Sequence, residues 1–95
     1  MTEQQIQSNI IKRLELHGYY VVKLIKTNKN GIPDILAIKD GKARFIEVKT
    51  KQGVLSELQN EVINQLKNKG CQVDVWTAYE ENFNYAKSND SIHDF

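Results

Sequence analysis

Pro33-Asp34-Ile35-Leu36-Ala37-Ile38-Lys39-Asp40-Gly41-Lys42-Ala43-Arg44-Phe45-Ile46-Glu47-Val48-Lys49-Thr50 is the stretch that decides the fold. At its centre, Asp40-Gly41 is a strong signal for a two-residue turn between antiparallel strands. Pro33 to Ile38 reads as a strand with proline at its first position, where a missing N–H does least harm. Arg44 to Thr50 reads as the strand that returns beside it. Side chains on a strand alternate, so Ile46 and Val48 point to the core while Glu47 and Lys49 share the other face. The hairpin then lets Asp34 lie next to Glu47, near the end of the sheet where the strands diverge.

Working outward, Ile6, Ile10, Ile11 and Leu14 recur at helical spacing, so a first helix is expected from about Thr2 to His17. Thr2 and Gln5 suit a capping box, and Gly18 suits a helix stop. Tyr19 to Ile25 is rich in β-branched and aromatic residues and reads as a first strand. Lys26 to Gly31 is a polar loop. Downstream, a second helix is expected from about Ser56 to Lys69, with Leu58, Val62 and Leu66 on one face and Gly70 as its stop. Val73 to Trp76 reads as a fourth strand, parallel to the third because a helix connects them. The order is α-β-β-β-α-β: an α/β chain with an α+β-like mixed sheet. It is expected to form one domain over residues 1–95, with 80–95 as a short helix or a loose tail.

Composition sets the outer limits. Hydrophobic residues are 40% and charged residues 26% of the 95, which suits a globular domain and not a disordered chain. Cys71 is the single cysteine, which excludes an internal disulfide and a cysteine-rich zinc site and fits a reducing compartment. With no apolar run near the length of a membrane span and no visible signal peptide, a cytoplasmic protein without membrane contact is expected. The net charge of +1 conceals an asymmetry: residues 1–70 hold twelve Lys or Arg against seven acids, residues 71–95 one against five. A basic body with an acidic end suits a polyanion approaching one side.

Asp34, Glu47 and Lys49 carry the chemistry. Two carboxylates forced together repel one another, and a divalent cation removes that cost. Mg²⁺, with Mn²⁺ as its substitute, prefers oxygen ligands and is typically held by one or two carboxylates plus phosphate oxygens. The Val48 backbone carbonyl is a candidate third protein ligand. Lys49 can orient a water or offset charge developing on a phosphate. These parts suit hydrolysis of a phosphodiester. Glu3 and Gln7 continue the apolar stripe of the first helix and so face inward. Glu3 then either sits at the positive end of the helix dipole or, with Gln7, reaches the metal or its waters. Ser56 and Gln59 form a second capping box, although Gln59 also falls on the face of Leu55, Val62 and Leu66. Lys26, Lys29 and Lys51 flank the site in sequence and are candidates for holding a DNA backbone, as is Gln7. Tyr19, Tyr20 and Trp76 are expected in the core or on a dimer surface. His17 and His93 are not assigned to a metal.

Ile32-Pro33-Asp34 with Glu47-Val48-Lys49 resembles the PD-(D/E)XK nuclease superfamily and its restriction-endonuclease-like core. Within it, the ordered set Glu3, Gly18, Gly31-Ile32-Pro33-Asp34, Ile46-Glu47-Val48-Lys49 and Ser56-Glu57-Leu58-Gln59 resembles the virus-type replication-repair nucleases, the VRR-NUC family, over roughly residues 3–76. The resemblance implies divalent-metal cleavage of DNA phosphodiesters leaving 5′-phosphate and 3′-hydroxyl ends. It also implies a catalytic role for Gln59, metal contact by Glu3, and stand-alone dimers that act on branched DNA such as four-way (Holliday) junctions. A bacterial or phage-infected host and a role in DNA repair are the implied setting, with no nucleotide cofactor. The alternative is a non-catalytic DNA-binding module that keeps a nuclease-like fold.

Overall fold

In the computed structural model the described residues are 1–78; the expected tail at 80–95, with His93, lies outside them. The elements are α1 (Glu3–Leu16), β1 (Tyr20–Lys23), β2 (Ile35–Lys39), β3 (Lys42–Val48), α2 (Glu57–Asn68) and β4 (Gln72–Trp76). The strands form one sheet in the order β1-β2-β3-β4. The first two pairings are antiparallel and the last, across the α2 crossover, is parallel. The chain therefore has the mixed sheet, flanked by helices, that its hydrophobic pattern predicts. Among the described residues no helix is long and apolar enough to cross a membrane.

The central hairpin closes with Lys39 opposite Lys42, which leaves Asp40 and Gly41 as the whole turn. Both have positive φ, 53° and 76°, as a type I′ turn requires, and its twist matches that of the flanking strands. Register follows from the turn. Ile35 meets Ile46 and Ala37 meets Arg44, so the β3 residues that share a face with Ile46 are Arg44 and Val48.

That face takes α1. Ile6, Ile10 and Leu14, spaced one turn apart, are buried with Tyr19, Ile35, Ala37, Ile46, Val48 and Trp76 in a single apolar cluster. Thr2 and Gln5 complete the capping box at the start of α1. At its end the Gly18 amide donates to the Glu15 carbonyl and the Tyr19 amide to the Leu14 carbonyl, the pair of bonds of a Schellman stop. Tyr19 thus belongs to the helix end, and β1 begins one residue later than its β-rich composition suggests. It also ends early: Ile25, expected inside the strand, lies beyond it and is 82% exposed.

Glu47 points away from the α1 cluster, as alternation demands, and α2 covers that second face. Here the expected stripe is rotated. Ile63 is the buried residue of α2 and Leu58 is exposed, because the helix turns Gln59 toward Glu47. Leu58 instead roofs the loop before β2. A Cβ placed on Gly31, whose φ is +81°, would come within 2.9 Å of the Leu58 side chain and 3.3 Å of its carbonyl oxygen. The loop can pass beneath α2 only because residue 31 has no side chain. Gly31→Ala should therefore combine left-handed strain with overpacking and destabilise the fold by about 1–3 kcal/mol. Urea unfolding checks this; an unchanged midpoint would show that the loop and α2 are not pressed together.

Candidate active site

The site is assembled at the end of the sheet where β2 begins and β3 ends. Asp34 immediately precedes β2, and its Oδ2 accepts a hydrogen bond of 2.8 Å from the Val48 amide. The Val48 backbone is thus engaged through its N–H, which fixes the Asp34 carboxylate beside the neighbouring Glu47. Leu24 donates its amide to the Asp34 carbonyl at 2.8 Å, so the residue is tied to strands on both sides. Glu47 is 1% exposed. Its Oε2 lies 3.3 Å from Gln59 Nε2 and 4.0 Å from Lys49 Nζ. From the other face of the sheet the first turn of α1 brings Glu3, and oxygens of Glu3, Asp34 and Glu47 all lie within 4.8 Å of one another. Four elements of the chain, distant in sequence, converge on this point.

Gln59 serves its helix and the site at once. Its Oε1 accepts from the Ser56 amide at 2.9 Å, its own amide donates to Ser56 Oγ at 3.1 Å, and its Nε2 donates to Glu47. The two side-chain contacts require opposite hydrogen-bonding roles, so only one orientation of the amide satisfies both. Capping box and site contact, which compete as explanations in the sequence, are two ends of one side chain.

The electrostatics are those of a site built for a cation. Burial pushes the Glu47 carboxyl up to about 8; Asp34, by charge and hydrogen bonding, and then Glu3 add to the rise, while Lys49 opposes it. Glu47 Oε1 is buried and has no hydrogen-bond partner. A buried acceptor without a donor carries a desolvation cost that a bound ion or water would remove. Three convergent carboxylates, one of them with an unpartnered buried oxygen, fit a hard divalent cation.

The remaining candidates fall into two groups. Gln7, one turn after Glu3, is buried and its Oε1 has no partner. Gln7 thus faces inward, as its place on the α1 stripe predicts. Lys26 and Lys29 are exposed on the loop between β1 and β2, where Thr27 Oγ1 donates to the Lys29 carbonyl at 2.7 Å and tightens the turn. Lys51 is exposed just beyond β3 and lines a cleft of 190 Å³ with Met1, Ile6, Thr50, Gln52 and Thr77. Tyr19 and Trp76 lie in the core, whereas Tyr20 is on the surface. His17 caps α1, with its Nδ1 2.9 Å from the Arg13 carbonyl.

Sequence reasoning passes over Arg44. It is buried on the α1 face and bonds to Asp74 and Gln72 of β4. Alternation with Ile46 and Val48 is the signal that places it there, and the parallel register brings Gln72 opposite it.

The Glu47 proton gives a measurable signature. The unfolded chain loses it near 4.5 and the folded chain holds it to about 8. Between those values the folded state binds more protons, so stability is full below pH 4.5 and is lost as pH rises toward 8. Thermal melts without metal should show a decline of roughly 2–4 kcal/mol across that window. Mn²⁺, which favours the ionised carboxylates, should raise Tm more at pH 8 than at pH 5. Glu47→Gln should flatten both responses; a metal-independent melt in the parent protein would argue against a cation site.

Comparison with known proteins bears on the whole of this arrangement. The model of the VRR-NUC domain family matches residues 2–79. A solved structure described as a VRR_NUC domain superposes with a TM-score of 0.79 at 24% identity, over 90% of this chain and 95% of its own; at that identity the likeness is one of fold. No curated protein sequence matches the chain. Since the family match runs from the cap of α1 past the end of β4 and takes in every residue of the acidic cluster, the chain belongs to the VRR-NUC family, whose domains are of the nuclease, DNA-processing type.

Proposed function

We propose that the chain is a Mg²⁺- or Mn²⁺-dependent, structure-selective DNA endonuclease that hydrolyses phosphodiesters in branched DNA, Holliday junctions included, as a homodimer. The observation that carries the reading is the convergence of Glu3, Asp34 and Glu47 oxygens within 4.8 Å, with Lys49 4.0 Å from Glu47. Glu3, Asp34 and Glu47, with the Val48 carbonyl, would hold the cation. When bound, it supplies positive charge at the phosphate and acidity to a water.

The chain's own residues do the rest. The Val48 amide holds Asp34 in place, and Gln59 fixes the direction of the Glu47 carboxylate. Lys49 reaches the same point from β3 and is positioned to orient the attacking water or to offset charge growing on the phosphate oxygens. Lys26, Lys29 and Lys51 hold the backbone without reading sequence. Among the described residues no helix stands away from the body to enter a major groove, so backbone and shape dominate selection. A cytoplasmic location in a bacterial or phage-infected cell, and a role in DNA repair, fit that activity.

The test is incubation of labelled linear, flap and four-way-junction DNA with Mg²⁺ or Mn²⁺. Cleavage is expected to favour the branched substrates and to fall about 100-fold or more in Glu47→Ala and Lys49→Ala. Lys49→Ala should still bind junctions. A parent protein that binds DNA and never cuts it would establish the alternative, a non-catalytic DNA-binding module. One protomer offers one site, and symmetric cutting of a junction needs two, which a two-fold dimer supplies. Light scattering should therefore give twice the 11.0 kDa chain mass; a monomer at micromolar concentration would remove the dimer from the reading.

A further inference from the structure

The acidic cluster can cut a phosphodiester, but it contains nothing that tells a branch from a continuous duplex. Two loops beside it carry exposed apolar side chains. Ile25, at 82% exposed, and Val54, at 83%, are among the most exposed large apolar side chains of the described residues. Each stands on a loop that adjoins the site. Ile25 follows Leu24, whose amide bonds to the carbonyl of Asp34. Val54 follows Gly53, where a Cβ would lie 3.3 Å from the Lys49 Cδ. Exposed lysines accompany both: Lys23 and Lys26 around Ile25, and Lys51 before Val54.

An isolated exposed aliphatic residue is ordinary. Two of them, one on each loop bordering a cluster of three acids and each with basic neighbours, form a pair of apolar tips in a cationic frame. That charge complements a polyanion, and apolar tips on a DNA-facing surface act as wedges between bases. Inserting a wedge into a continuous duplex requires unstacking a base step. At a branch point the step is already open. The same contact is therefore favourable at a junction and opposed in linear DNA, which is structure selectivity without sequence readout.

We infer that Ile25 and Val54 are branch-reading residues, which pack against bases left unstacked at a DNA branch while Lys23, Lys26 and Lys51 hold the adjoining phosphates. This rests on the proposed nuclease reading for its substrate, and it has a readout of its own. Four-way junctions carrying 2-aminopurine at the branch point are titrated with the full-length protein without divalent metal. Fluorescence should change on binding as the exposed face of the base passes from water to an apolar contact, and the change should be lost in Ile25→Ser/Val54→Ser. With Mg²⁺, the ratio of kcat/KM on junction over linear duplex should fall about tenfold in the double variant, what one partly buried aliphatic side chain contributes.

If the parent protein alters the probe's fluorescence and never cuts, the branch contact stands and the nuclease reading falls. If the parent cuts while the double variant keeps both its fluorescence response and its substrate ratio, the branch contact falls and the nuclease reading stands. Light scattering separates a further possibility. A double variant that turns monomeric where the parent is dimeric would show that a second copy of the chain covers these side chains, and would overturn the inference. Conservative Ile25→Leu/Val54→Ile should restore the ratio, because a wedge needs apolar bulk and not a particular branching.

Discussion

The bond from the Val48 amide to the Asp34 carboxylate holds the site in register. Asp34 stands just before β2 and Glu47 near the end of β3, so nothing in the strand ladder itself joins their side chains. The 2.8 Å contact does so, by borrowing the backbone donor next to Glu47. A hydrogen bond to a charged acceptor is among the stronger ones a protein makes. It fixes the Asp34 carboxylate in place, while Glu47, buried beside it, is driven toward its protonated form. Their mutual repulsion is a cost to the fold that a divalent cation, on the proposed function, would offset.

Around that bond the rest of the architecture has one task, which is to deliver residues from distant parts of the sequence to one end of a sheet. The Asp40-Gly41 turn sets the register that places Asp34 beside Val48. The apolar stripe of α1 seats the helix so that its first turn, with Glu3, overhangs the strand ends. The capping box of α2 orients Gln59 so that its free amide nitrogen meets Glu47. Local structure and site geometry share atoms here, and a change in a cap or a turn is felt as a change in the site.

The elements were legible in the sequence because each depends on a local rule. The hairpin, the capping boxes and the parallel crossover follow from residue type and spacing, and so does the sharing of a face by Glu47 and Lys49. Resemblance to a known family added Glu3 and Gln59, whose convergence on the site no periodicity shows, since it arises from how two helices dock on opposite faces. What stayed hidden was tertiary in origin. Leu58 looks like a core residue of α2, but the helix rotates to offer Gln59. Tyr19 looks like a strand residue, but the helix stop claims its amide. Arg44 was legible in principle, since it alternates with Ile46 and Val48, yet a charge on an apolar face makes sense only once Asp74 and Gln72 are known to lie beside it in β4.

Division of labour follows from these positions. Residues that meet at the cluster are buried or half-buried, which limits their freedom as chemistry on a phosphate requires. The groups proposed to meet the DNA stand exposed at the end of β1 and on the loops that follow β1 and β3. Each loop is tied down close to the cluster, the first through the Leu24–Asp34 backbone bond and the second through the bond from the Gly53 amide to the Thr50 carbonyl. A base or phosphate caught on either loop is thus held at a defined distance from the acids. On the proposed function, selection of the DNA structure and placement of the scissile bond become one event.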